Sequence, residues 1–408
     1  MSRETVCRSC RSERLEPILS LGETPLANRL LTREQLQSPE PRYPLELVFC
    51  AQCTLLQITE TVDPEELFSD YVYFSSYSDL VVANAKQNAS RILETRKLAP
   101  SDLVVEIASN DGYLLQHYQA AGIRVLGIEP ARNIATEANR RGIETITEFF
   151  GLALAAQLRA RGVEAAVIHA NNVLAHVADL NGFVAGIAEI LRADGAAVIE
   201  VPWVVEMIER CEFDTVYHEH LCYFSLTALQ ELFARHGLRV LDAEPIELHG
   251  GSLRFTVGRA DAPSSRVLEL LAREEAWGVR DANAYRALPR NIERVRESLL
   301  ELLRSLKRDG GTLAAYGASA KGATLLNYFG IGGDLLEFVV DRSPVKQGKF
   351  TPGTHLPILA PSVLAERRPD YLLLLTWNHA AEILEQQRPY REQGGRFIIP
   401  IPEPAIVE

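Results

Sequence analysis

Within nine residues, "VYHEHLCYF" from Val216 to Phe224, the chain places two histidines, a glutamate and two tyrosines. Imidazole titrates near neutrality, so two of them beside a carboxylate suit the stretch to moving protons. A tyrosine hydroxyl or a histidine N–H can also donate to an oxygen on which negative charge develops. An extended backbone would put Tyr217 and Glu219 on one side and His218 and His220 on the other. Convergence on one ligand therefore requires a bend, which is expected at a strand end.

A second reactive group lies at the N-terminus, where "CRSC" (Cys7, Cys10) and "CAQC" (Cys50, Cys53) form two C-x-x-C knuckles. Each knuckle can bring two thiolates to about 2.3 Å from one Zn²⁺, and the pair completes the tetrahedral set of a closed structural site. A thioredoxin-type dithiol would need a helix start after a strand, twice over. The long interval between the knuckles is expected to hold a small sheet. Zinc then staples a segment too short to build its own core.

The elements that carry these groups must fit into 408 residues, which suggests two or three domains. A hydrophobic fraction of 47% with 24% charged residues is that of a globular protein with sizeable cores. The net charge of −12 argues against nucleic-acid binding, which needs a basic footprint. An anionic small ligand remains compatible if Lys and Arg gather at its site. No apolar run reaches about 18 residues, so no membrane span is expected. The start "MSRETVCRSC" lacks the apolar core of a signal peptide, and a cytoplasmic location with reduced cysteines is expected. Cys211 and Cys222 read as reduced core residues.

From about Tyr71 the pattern alternates. "DLVVEIA" is a β-rich run, then come the turn "SNDG", the helical "YLLQHYQAAG", the strand "RVLGIEP" and the helix "ARNIATEANRRG". "AAVIHANNVLAHV" and "AAVIEVPW" supply further strands. Such alternation predicts a mostly parallel sheet with ligands at its carboxyl ends. Glu106 and Glu129 fall at such ends, and Glu129 suits ribose hydroxyls about 20 residues beyond the first turn. After "RADAPSSR" a long helix, "IERVRESLLELLRSLKRDGG", precedes another strand–turn–helix, "TLAAY", "GASAKG" and "ATLLNYFG". With "LEFVVDRSP" and "YLLLLTWNHA" this predicts a second small parallel sheet. The expected divisions are 1–70, 71–262 and 263–408.

Residues Glu106 to Gly112, "EIASNDG", lack the G-x-G-x-x-G of a dinucleotide fold. They resemble the first motif of class I S-adenosylmethionine methyltransferases, although Ala108 and Asn110 stand where glycines are common. Ser109, Asn110 and Gly112 are then cofactor candidates with Glu106 and Glu129. Asn171 and Asn172 either offer amides to the cofactor or cap the next helix. In "HGGSLRF", Arg254 is suited to a phosphate, or else belongs to a glycine-kinked strand with its guanidinium in solvent. Ser319 and Lys321 of "GASAKG" open a helix whose N–H groups suit a diphosphate. His379, at a strand end, either assists at the diphosphate or is a packed histidine, and His117, His236 and His355 read as structural or exposed.

Taken in order, the paired knuckles, "VVEIASNDGYLL", "HANNVLAHV", "YHEHLCYFS", "HGGSLRF" and "YGASAKG" resemble the nucleotide-sugar C-methyltransferases of deoxysugar biosynthesis, over nearly the whole chain. The resemblance implies an α/β protein: a central class I methyltransferase-type sheet, a small N-terminal zinc-binding domain and a C-terminal Rossmann-like domain that helps to hold a nucleotide sugar. It implies S-adenosyl-L-methionine and structural Zn²⁺ as cofactors and methylation at C3′ of a dTDP-linked 4-keto-2,6-dideoxy sugar. It assigns His220 as general base, Tyr217 and Glu219 as substrate-positioning or base-orienting groups, and His176 and Tyr71 as further active-site members. Tyr77 and Ser78 are expected to touch the cofactor. The expected partner is the dTDP-sugar, with no nucleic acid or membrane, and a monomer is the expectation. Two alternatives stand beside this: an NAD(P)-dependent nucleotide-sugar oxidoreductase or epimerase built on "AAYGASAKG" and Asp341, and a zinc-ribbon scaffold without catalysis.

Overall fold

The computed structural model describes residues 2–68, 74–247, 250–260 and 262–408. Tyr71 lies outside the described residues. Between the knuckles, strands Leu15–Thr24, Tyr43–Cys50 and Leu56–Ile58 pair antiparallel, so the interval holds the expected small sheet. Each knuckle closes through the same turn. The N–H of Arg11 donates to the Cys7 carbonyl and that of Thr54 to the Cys50 carbonyl, both at 2.9 Å. Arg11 and Thr54 both take the left-handed φ of 62°. That conformation costs about 1–2 kcal/mol per L-residue, and its repetition marks two knuckles shaped to one template.

The central sheet comprises β1 (Leu103–Ile107), β2 (Arg124–Ile128), β3 (Thr145–Ile146), β4 (Ala165–Asn171), β5 (Leu191–Pro202), β6 (Arg239–Ile246) and β7 (Ser252–Gly258). Its order is β3-β2-β1-β4-β5-β7-β6, parallel from β3 to β5, with β7 antiparallel to both β5 and β6. All five residues of β1 are buried, as a central parallel strand covered on both faces requires. The chain leaves β1 and β4 in opposite directions across the sheet. That reversal opens a crevice at their carboxyl ends.

A second sheet follows the amphipathic helix Ala287–Arg308. Its strands are β8 (Leu313–Tyr316), β9 (Val339–Val340), β10 (Ile358–Leu359), β11 (Tyr371–Leu374), β12 (Arg396–Ile399) and β13 (Ala405–Val407). The order β10-β9-β8-β11-β12-β13 is parallel except for β13, and it reverses between β8 and β11. No described helix is long and apolar enough to cross a membrane.

The stretch Val216–Phe224 joins the zinc-bearing unit to the central one. Its strand Cys222–Tyr223 adds to the N-terminal sheet beside Leu56–Ile58. The N–H of Ile58 donates to the Leu221 carbonyl at 3.0 Å, and the N–H of Leu221 to the Ala175 carbonyl at 2.7 Å. The histidine cluster is thereby pinned from both sides.

Candidate active site

The three units enclose one cavity of about 1190 Å³. Its walls come from the carboxyl ends of β1, β2 and β4 on one side and of β8, β9 and β11 on the other. Both switch points thus open into a single space, large enough for two ligands side by side. Asn28 of the N-terminal unit also lines it.

On the central side, the turn after β1 has left-handed angles at Ala108 (φ 55°), Asn110 (φ 49°) and Gly112 (φ 80°). The backbone does here what glycines usually permit, and the asparagine tolerates it through local hydrogen bonding. Asn110 Oδ1 accepts from the N–H of Ser75 at 2.9 Å, which fastens the segment ahead of Tyr77 to this turn. Glu129 accepts from the N–H groups of Asn110 (3.0 Å) and Ala131 (2.9 Å). Burial pushes its carboxyl up, against the pull of these donors. Glu106 is driven well above the carboxylate range by burial and by the neighbouring acids Glu129, Asp111 and Glu200.

Tyr77, Ser78, Asn110, Glu129, Asn171 and Asn172 all reach the cavity wall. Glu106, Ser109 and Gly112 lie behind it. A Cβ on Gly127 would sit 2.5 Å from Ser109 Oγ, so the bare glycine is what lets Ser109 turn into the sheet. A Cβ on Gly112 would meet Ile143 Cγ1 at 2.9 Å, which places this glycine in the support of the turn. Asn172 takes φ 53° and its N–H donates to the Glu200 carbonyl at 2.8 Å. Phe149 and Phe150, after β3, add an apolar wall that sequence reading missed, though an aromatic pair just past a strand end is the signal.

The bend required in the histidine cluster is present. Residues Tyr217 to His220 form a turn closed by the His220 N–H on the Tyr217 carbonyl at 2.9 Å. His218 points away into the N-terminal unit, where its Nε2 meets the Pro44 carbonyl at 2.9 Å. His220 Nδ1 lies 2.9 Å from the Thr215 carbonyl, which only accepts, so Nδ1 carries the proton in the neutral ring. Nε2 then keeps its lone pair, and the Tyr217 hydroxyl donates to it at 2.8 Å. The His176 ring meets His220 edge-on with centroids 4.7 Å apart, and desolvation holds His176 down to about 4. It therefore stays neutral at physiological pH. Tyr217, His220 and His176 line the cavity; Glu219 is buried beside it, and burial pushes its carboxyl up to about 7.

On the C-terminal side, Ser319 caps the helix Ala320–Phe329, accepting from the Gly322 N–H at 3.0 Å. Ser319 and Lys321 reach the cavity together with Arg342 and Lys346. Lys321 lies 3.4 Å from Glu212 and over the Trp377 ring, whose Nε1 donates to buried Asp214 at 2.7 Å. Arg342 donates to the Tyr77 carbonyl at 3.0 Å, joining this unit to the cofactor side. His379 is at the wall as well.

Arg254, expected to answer a phosphate or else to lie in solvent, does neither. The antiparallel register sets it opposite Glu200. Its guanidinium donates to Glu200 at 2.7 Å, Glu244 at 3.3 Å and Asn84 at 2.7 Å. It is 7% exposed and does not line the cavity.

The four knuckle cysteines bring their Sγ atoms within 4.8 Å of one another, with Cys7–Cys53 at 3.5 Å and Cys10–Cys50 at 3.6 Å. A tetrahedron with Zn–S bonds of about 2.3 Å has edges of about 3.8 Å, so the set fits Zn²⁺. No other described group of His, Cys, Asp and Glu gathers in this way.

A sheet of this order, with its antiparallel seventh strand and an acid-bearing crevice at the reversal, defines a class I S-adenosylmethionine-dependent methyltransferase, here with a zinc-binding N-terminal domain and a further C-terminal domain. Family models for a zinc binding domain, a methyltransferase domain and a C-methyltransferase C-terminal domain match residues 7–68, 81–243 and 247–402. The chain is 38% identical to C-methyltransferase NovU of Streptomyces niveus over 404 residues, covering 98% of this chain and 96% of that one. It belongs to this C-methyltransferase family. Similar solved structures include magnesium protoporphyrin IX methyltransferase (ChlM) from Synechocystis PCC 6803 with bound SAM, at 15% identity and a TM-score of 0.34, covering 47% of this chain and 86% of that one. Another is an S-adenosylmethionine-dependent methyltransferase from Clostridium acetobutylicum ATCC 824, at 9% identity and a TM-score of 0.37, covering 46% and 95%.

Proposed function

We propose that this C-methyltransferase methylates C3′ of a dTDP-linked 4-keto-2,6-dideoxy sugar, with His220 as the general base. The observation that carries the reading is the Tyr217–His220 pair, whose Nδ1 is committed to the Thr215 carbonyl while Nε2 is presented beside a cavity shared by two nucleotide-type sheets. A carbon–hydrogen bond is not nucleophilic, so its proton must leave with a neighbouring ketone accepting the charge. In this reading His220 Nε2 takes the C3′ proton, and the C–H electron pair passes into the C4′ ketone as an enolate.

The Tyr217 hydroxyl has one hydrogen and cannot serve Nε2 and the ketone oxygen together. Turning it to that oxygen stabilises the enolate and frees the Nε2 lone pair in one movement. Asn110, Glu129, Asn171, Asn172, Tyr77 and Ser78 hold S-adenosylmethionine against the central sheet. Bound there, it would supply an electrophilic methyl group to C3′, its sulfur keeping the C–S electron pair and departing as the neutral thioether. Lys321, with Arg342 and Lys346 nearby, gives the nucleotide diphosphate its local positive charge within an acidic protein, and Ser319 opens the helix whose N–H groups face it. Reduced thiolates for zinc agree with a cytoplasmic location.

Mass spectrometry of reactions with a panel of 4-keto dTDP-sugars should show one added methyl, and, without S-adenosylmethionine, deuterium from solvent should enter C3′ of the unmethylated sugar. His220→Asn should abolish both and leave S-adenosylmethionine binding intact. Unchanged turnover in that variant removes His220 from the chemistry.

A further inference from the structure

One wall of the cavity belongs to the zinc-bearing domain. Asn28 lines it, and its Nδ2 donates to both carboxylate oxygens of Glu219, at 2.8 and 2.9 Å. The amide nitrogen faces both Glu219 oxygens, so Oδ1 forms the opposite pole. Among the described residues none donates to that Oδ1. The next residue back, Ala27, packs with Ala320, Ala323 and Tyr217, which sets the amide beside the tyrosine that contacts His220. An oriented acceptor therefore stands next to the proton-handling pair, supported from behind by a buried acid that does not itself reach the cavity.

We infer that Asn28 is a specificity-determining residue, its Oδ1 accepting a hydrogen bond from the C3′ hydroxyl of the substrate hexose, and that Glu219 is the positioning residue that fixes the amide. The inference rests on the substrate proposed above. In a 4-keto-2,6-dideoxyhexose joined to the nucleotide through C1′, only C3′ carries a free hydroxyl: C2′ and C6′ have none, C4′ is a ketone and the C5′ oxygen closes the ring. Gripping that hydroxyl fixes the direction of the hydrogen on the same carbon, which is the one His220 must remove. A site built to bond a hydroxyl disfavours an analogue without it, because the protein group is then left dry and unpaired.

The test compares kcat and KM of the zinc-loaded full chain on the C3′-hydroxy substrate and on its 2,3,6-trideoxy analogue, for the wild type, Asn28→Ala and Glu219→Gln. The wild type should prefer the hydroxy sugar by about tenfold to a hundredfold in kcat/KM, the worth of one well-placed buried hydrogen bond. Asn28→Ala should lose that preference mainly through KM on the hydroxy sugar, while its rate on the analogue stays near that of the wild type. Glu219→Gln should lose part of it. Zinc content and S-adenosylmethionine affinity, measured in parallel, should match the wild type and certify an intact fold. An Asn28→Ala enzyme that keeps the preference, or that loses both sugars equally, overturns the assignment of Asn28 alone. A wild type that methylates neither sugar overturns the substrate reading beneath it and takes this assignment with it.

Discussion

Arg254→Met should destabilise the protein without weakening the nucleotide-sugar binding proposed above. The wild-type guanidinium has carboxylates of Glu200 and Glu244 and the amide oxygen of Asn84 around it, with Arg254 7% and Glu200 1% exposed. Removing one member of such a buried pair leaves the other charge without compensation, which costs about 3–5 kcal/mol. The site deepens that penalty, because Glu106, Glu129 and Asp111 already crowd the same part of the sheet with acid. At roughly 2–4 °C per kcal/mol for a domain of this size, the melting temperature of the central domain should fall by roughly 6–20 °C. Thermal unfolding gives the first number, and calorimetry with a dTDP-sugar below the transition gives the second. Adding Glu200→Gln to Arg254→Met should recover part of the loss, since the stranded charge is then gone. A variant with normal melting and weakened dTDP-sugar binding would refute the reasoning and return Arg254 to the ligand.

Two other outcomes can be checked directly. Elemental mass spectrometry should find one zinc per chain. Stripping it with a chelator should lower the first unfolding transition and also inactivate the enzyme, because the N-terminal sheet holds the Leu221 carbonyl and His218; a chelated protein with an unchanged melting profile would contradict this. Glu219 binds its proton more tightly folded, at about 7, than an ordinary glutamate at 4.5. Its contribution is therefore fully present below about pH 4.5 and is lost as pH rises through 7, by an amount on the order of 3 kcal/mol. Denaturant titrations at several pH values should show Glu219→Gln flattening the wild-type decline across that window, and parallel pH profiles would exclude it.

Much of the architecture can be read from local pattern. "LVVEI" and "AAVIHAN" are short, mostly apolar runs set between helical patterns, as strands of a parallel sheet are, and the knuckles announce their metal through spacing. The turn after β1 is a harder case. Asn110 accepts a left-handed angle readily, but Ala108 is not a residue that such angles favour, so tertiary context overrides local preference at Ala108. Contacts of the candidate site could be foreseen where residues are close in sequence, as with the Tyr217–His220 hydrogen bond. They could not be foreseen where partners are distant. Asn28 sits in an ordinary loop and meets Glu219 only through folding, and nothing near Arg254 in sequence announces Glu200 as its neighbour. Register decides such contacts, and register is a property of the assembled sheet.

The edge strand Cys222–Tyr223 has a practical bearing on chimeras. Because this short piece of the methyl-transferring half completes the metal-stapled sheet, a crossover near residue 70 would graft a foreign module onto an edge shaped for another. Exchanging the first module between relatives therefore means transplanting its complementary strand as well, and that strand cannot be moved without disturbing the histidine turn just ahead of it.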